Sequence, residues 1–147
     1  MEVLSLNLKI VEADLNALAA KLLPPDTPIE DVAFLIRPEG ICVKGVYPLL
    51  VNVAFESWWA LDVEEGKVTA NMTKLKAFGM PAMVFKSAVL KVLEELSARE
   101  VWFEVKGEKV HVDIETSLGR YACPSRLYLR RIACADGIVI IEAGKTA

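Results

Sequence analysis

Val51-Asn-Val-Ala-Phe-Glu-Ser-Trp-Trp-Ala-Leu-Asp-Val63, followed by Glu65-Gly66 and then Lys67-Val-Thr-Ala-Asn-Met72, is the stretch that decides the fold. Val51, Val53, Phe55, Trp59, Leu61 and Val63 fall on one face of an extended chain, and Asn52, Glu56 and Asp62 fall on the other. Strict alternation of this kind is the signature of a half-buried strand. Glu-Gly supplies the turn, and Val68, Ala70 and Met72 alternate back in register with the first arm, so the segment reads as a long hairpin. The alternation slips near Thr73-Lys74, where the apolar positions move to Leu75 and Ala77; a β-bulge or a strand end accounts for that slip.

The same reading extends outward in both directions. Upstream, Leu4, Leu6, Leu8 and Ile10 alternate as a strand, and residues 12–23 place Leu15, Leu18, Ala19 and Leu22 on one helical stripe that ends at Pro24-Pro25. Val32, Phe34 and Ile36 then run through Pro38-Glu39-Gly40 into Ile41-Cys42-Val43, a second hairpin. Downstream, Gly79-Met80-Pro81 introduces the main helix, residues 82–98, with Phe85, Val89, Val92, Leu93 and Leu96 on its apolar stripe. Val101, Phe103 and Val105 turn at Lys106-Gly107-Glu108 into Val110, Val112 and Ile114. Leu127, Leu129 and Ile132 turn at Asp136-Gly137 into Ile138-Val-Ile-Ile141, expected to close the sheet.

The expected class is therefore α+β, an antiparallel sheet with one main helix and one short N-terminal helix in a single domain over residues 1–147. A weak internal repeat, residues 8–45 against residues 110–144, rests on two short matches: Ile10-Val-Glu-Ala-Asp-Leu15 with Asp113-Ile-Glu-Thr-Ser-Leu118, and Glu39-Gly-Ile-Cys-Val43 with Asp136-Gly-Ile-Val-Ile140.

Composition narrows the function. The chain has 147 residues, enough for one core, with 54% hydrophobic residues, 25% charged residues and a net charge of −3. An acidic balance offers no footprint for nucleic acid. No charge-free run approaches the roughly 20 residues of a spanning helix, so no transmembrane segment is expected. Met1 to Asn7 shows no basic segment followed by an apolar run, which makes the cytoplasm the default address, with an exported mature domain as the alternative.

No residue pattern points to catalysis or to a cofactor. The single histidine, His111, shares the polar face of its strand with Asp113 and Glu115, without the ligands a metal needs. None of Ser57, Ser87, Ser97, Ser117 and Ser125 sits in a nucleophile elbow. Cys42, Cys123 and Cys134 form no metal-binding or redox spacing, and buried reduced thiols are the expectation. The Arg126, Arg130 and Arg131 group reads as a charged edge strand. A non-enzymatic protein without cofactor or metal is expected.

What stands out is apolar surface in excess. Trp58 falls on the otherwise polar face of its strand, and Trp102 falls with Glu104 and Lys106, so both are candidates for an interface. A groove between the main helix and the sheet would be lined by Phe55, Trp59, Met72, Met83, Phe85, Val89 and Leu93. Two readings follow: a binding domain for a lipid or other elongated apolar ligand, or an interaction module that forms a homodimer through Trp58 or Trp102.

The runs Glu12-Ala-Asp-Leu-Asn16, Pro38-Glu-Gly-Ile-Cys-Val-Lys-Gly45, Glu65-Gly-Lys-Val68, Leu75-Lys-Ala-Phe-Gly-Met-Pro81 and Val112-Asp-Ile114 together resemble the LmeA-like phospholipid-binding family, which is related to the tubular lipid-binding domains. The resemblance covers most of the chain. It implies a highly curved antiparallel β-sheet wrapped on one main helix, and a lipid ligand. It assigns no individual ligand-contacting residue, and the family's envelope location implies a leader that the start of this sequence does not display.

Overall fold

The computed structural model describes residues 4–22, 29–48, 51–79, 81–99, 103–114 and 127–144. Within these, the elements run β1 (Leu6–Val11), α1 (Glu12–Leu22), β2 (Glu30–Arg37), β3 (Gly40–Pro48), β4 (Asn52–Glu64), β5 (Lys67–Ala77), α2 (Ala82–Arg99), β6 (Phe103–Lys106), β7 (Lys109–Val112), β8 (Leu129–Ala135) and β9 (Ile138–Ala143). The α+β class and the antiparallel pairing hold throughout. The expected single sheet does not. The strands divide into a six-stranded sheet, β2-β3-β4-β5-β7-β6, and a three-stranded sheet, β1-β9-β8.

The decisive hairpin forms as its alternation requires. Val63 pairs with Val68, and Glu65 and Gly66 take φ of 52° and 76°, the left-handed pair that matches the twist of the strands they join. Trp58 then pairs with Lys74 but Trp59 with Met72, which leaves Thr73 as the extra residue of a bulge. Its hydroxyl donates to the Trp58 carbonyl at 3.3 Å. The bulge restores Leu75 and Ala77 to the face already occupied by Val68, Ala70 and Met72, so one apolar face runs the whole length of β5.

That face of the large sheet is covered by two different partners. Toward the β2–β3 and β4–β5 turns, Ile36, Ile41, Leu61, Val63, Val68 and Val112 pack with Leu129, Val139 and Ile141 of the small sheet. Toward the opposite end, Val53, Phe55, Trp59, Met72 and Val110 pack with Phe85 and Val89 of α2. The molecule thus has two cores on one sheet face.

Helix α1 closes the free edge of β2. An edge strand exposes unpaired N–H and C=O groups that invite another strand; here the outward groups of Phe34 and Ile36 are all taken. The Asn16 amide imitates a strand, its Nδ2 donating to Phe34 O at 3.0 Å and its Oδ1 accepting from Phe34 N at 2.8 Å. The Ile36 N–H donates to Glu12 Oε1 at 2.8 Å, and Ile36 O accepts from Gly137 N at 2.8 Å. Arg37 also reaches Glu12 Oε1, at 2.8 Å. Leu15 packs on the core beneath the small sheet, but Leu18, expected on the same stripe, is 46% exposed. Polar bonds to a strand edge therefore do much of the work that an apolar stripe was expected to do.

The Ile36 N–H, with the Arg37 guanidinium behind it, holds the Glu12 carboxyl below its usual range, outweighing a partial desolvation that pushes the other way. A depressed carboxyl stabilises the fold above its unfolded value, about 4.3, and that contribution fades as pH falls through the lower folded value. Glu12→Gln keeps an acceptor for Ile36 but loses the charge. Thermal melts from about pH 7 to about pH 3 should show the variant less stable near neutrality and the gap closing in acid. A gap that stays constant across the range would contradict this role for Glu12.

Candidate functional site

Between α2 and the six-stranded sheet lies a partly open cavity of about 260 Å³. Its floor is the sheet, through Ile41, Val43, Phe55, Leu61, Ala70 and Val110, and its roof is α2, through Val89, Val92 and Leu93. Ile29, Val32 and Phe34 form the side wall on the β2 edge. Phe34 is therefore held twice: its ring faces the cavity while its backbone is clamped by Asn16.

Chemically the cavity is almost uniform. Two of the lining side chains carry a polar atom, Ser57 and Trp59, and each is satisfied within the wall. The Trp59 indole N–H donates to Ser57 Oγ at 2.9 Å, and the Ser57 hydroxyl donates to Val43 O at 3.3 Å. A hydroxyl 2% exposed on an apolar strand face would otherwise cost the desolvation of an unpaired group. With that chain complete, the described residues of the wall offer a guest no free donor, no charge and no nucleophile. A partly open apolar groove of this kind favours apolar guests, whose burial removes apolar wall from water.

Of the seven residues expected to line a groove, Phe55, Trp59, Val89 and Leu93 line this cavity. Phe85 and Met72 are buried in the adjoining core instead, Phe85 wedged against Phe55 and Tyr47. Met83 is 83% exposed, and its placement in the groove is corrected: two residues along a helix is about 200° of rotation from Phe85, so one side chain cannot face the sheet if the other does. It borders a shallow polar depression at the bulge with Met72, Thr73, Lys74, Leu75, Lys86 and Glu108. Sequence reading missed the β2 wall and Ser57. The β2 residues do carry the alternation, while Ser57 carries the opposite signal, a polar residue where an apolar one is expected.

Trp58 lies half-buried on the opposite sheet face, paired with Cys42 and Lys74. Trp102, Cys123, Arg126 and the 115–118 part of the internal repeat lie outside the described residues. Burial is the first cause that pushes the Cys42 and Cys134 thiols up, with Glu56 adding to it at Cys42, so both favour the thiol over the thiolate. Arg131 reaches Glu142 at 3.6 Å across the small sheet. Among the described residues no group of three His, Cys, Asp or Glu side chains is placed to hold a metal, and no helix is long and apolar enough to cross a membrane.

No protein-family model and no curated protein matches the sequence.

Proposed function

We propose that this protein binds one elongated apolar molecule, such as a lipid acyl chain, between α2 and the six-stranded sheet, and that it does so without chemistry. The observation that carries this reading is a wall in which, among the described residues, the two polar side chains are satisfied internally: the space is lined by Phe55, Trp59, Leu61, Val89 and Leu93, with Trp59 bonded to Ser57 and Ser57 to Val43, and it rewards apolar contact. At about 260 Å³ the volume is near the lower limit of small-molecule pockets, about 300 Å³. That suits a slender chain better than a fused ring system.

Leu93 is the residue to change, because it lines the roof and remains partly accessible. Leu93→Trp should fill the cavity. Native mass spectrometry of gently purified protein should show a stoichiometric passenger on the wild type and none on the variant, with the melting temperature of the variant equal or higher. Loss of a buried chain contact of several methylenes, about 0.8 kcal/mol each, predicts a fall in affinity for a fluorescent fatty acid of two orders of magnitude or more. A wild type that carries no passenger and does not bind the fatty acid would refute the proposal.

A further inference from the structure

The two ends of the large sheet are built from opposite materials. At the end covered by the small sheet, the connections are Pro38-Glu39 and Glu65-Gly66, both polar and both tight. At the other end the chain passes through Val51 into β4 and from Phe78 into α2, and among the described residues there the large apolar ones stand out of the fold: Val51 is 67% exposed, Phe78 57%, Met83 83% and Val84 58%. They share one end of the fold, because Phe78 N donates to Ala54 O at 2.9 Å, just past the start of β4, and α2 begins a few residues later with Phe85 N bonded to Pro81 O. Isolated exposed apolar side chains are ordinary, but four at one end of the fold, two on the connections and two in the first turn of α2, mark a contact surface.

The distribution along α2 shows how that surface is approached. Its outward residues are Met83 and Val84 in the first turn, and Ser87, Lys91, Glu94 and Glu95 further on. Among the described residues, the large apolar side chains exposed on α2 are those of its first turn, so the tip rather than the flank of the helix is its apolar surface. The charges beside the tip are basic. Lys74 and Lys76 are exposed on β5, the strand that delivers Phe78, and among the described residues neither is in an ion pair: Glu56, which stands opposite Lys76 in the sheet, is engaged by Lys44, and Glu108 by Lys86. In a chain of net charge −3 this is a local reversal of sign.

We infer that this end of the molecule is a docking surface for an anionic lipid bilayer, with Phe78, Met83, Val84 and Val51 entering the interfacial region and Lys74 and Lys76 meeting the headgroups. Basic residues beside an apolar anchor are the combination that holds proteins at negatively charged membrane surfaces. A second copy of the chain is a poorer occupant, since it would bring two identical lysine pairs together. The inference stands apart from the cavity and needs no occupied ligand site.

Flotation of the full chain with vesicles of phosphatidylcholine alone, and with phosphatidylglycerol added, tests it. Wild type should float with the anionic vesicles. Met83→Ser with Val84→Ser should weaken binding on the order of a hundredfold, the loss of two buried apolar side chains, with no change in melting temperature because both residues are already exposed. Lys74→Gln with Lys76→Gln should weaken binding to anionic vesicles about thirtyfold and leave binding to neutral ones unchanged. Wild type that fails to float overturns the inference, whether it is monomeric or forms a dimer that the Met83 and Val84 substitutions dissolve. Flotation that neither pair of substitutions affects overturns it equally.

Discussion

Gly40→Ala should cost about 4 kcal/mol or more and lower the melting temperature by roughly 10 °C, an effect at the upper end for a change of one methyl group. A Cβ on Gly40 would stand 2.0 Å from the Trp59 carbonyl oxygen, 2.8 Å from its carbon and 3.2 Å from the Ala60 Cα. All three are backbone atoms of the central strand, so no side chain can rotate away. Gly40 also has φ of 138°, which an L residue adopts only under strain of about 1–3 kcal/mol, and the overlap adds an overpacking cost of similar size. Gly66→Ala provides the mild reference, since Gly66 has φ of 76°, close to the left-handed region that L residues can visit, and nothing within 4 Å of its Cβ position. Denaturant melts should find the Gly66 variant destabilised by about 1 kcal/mol and the Gly40 variant by several times as much. Equal losses would mean that β4 shifts to make room. Because Trp59 lines the cavity and satisfies Ser57, the Gly40 variant should also lose its apolar guest.

Much of the framework was legible because strand alternation and turn chemistry are local. The Glu65-Gly66 turn, the bulge at Thr73 and the helix over α2 each follow from a few neighbouring residues, and each stands where those residues put it. What alternation does not carry is the identity of the cover. Leu61 and Phe55 have the same phase on β4, yet one faces the small sheet and the other faces α2, so a period of two cannot reveal that the strands separate into two sheets or that a cavity lies under α2. Polar bonds at a distance are equally silent. Glu12 and Asn16, one helical turn apart, look like a solvated helix face in sequence, and only the fold brings the edge of β2 to them across 18 to 24 residues of chain. Met83 shows a third limit: hydrophobic character was read as burial, whereas its angle around α2 already placed it opposite Phe85.

Phe85→Ala should cost about 5 kcal/mol, the second large effect, and should release α2 from the sheet. Phe85 is fully buried, its ring edge-on to Tyr47 at 5.8 Å and tilted against Phe55 at 5.2 Å. Removal of a buried phenylalanine side chain costs about 3–5 kcal/mol, and the loss of two ring pairs adds about 0.5–1.5 kcal/mol each where the site cannot collapse. Collapse is difficult here, because one partner is on β3 and the other on β4, and both are fixed by the sheet register Tyr47–Val53 and Gly45–Phe55. Gly45 adds to this rigidity: a Cβ there would meet the Phe55 ring at 3.0 Å, so Phe55 is already seated directly on backbone and cannot settle further. Phe85→Leu keeps most of the volume and should cost about 1–2 kcal/mol. Amide exchange would separate a local effect from a global one. If Phe85 anchors the roof, α2 amides should lose protection first in the alanine variant, while β1, β8 and β9 remain protected by the other core, and the apolar guest should dissociate faster in proportion to that opening. A variant in which every amide loses protection together would mean that the two cores stand or fall as one, and that the cavity cannot open without unfolding the whole chain.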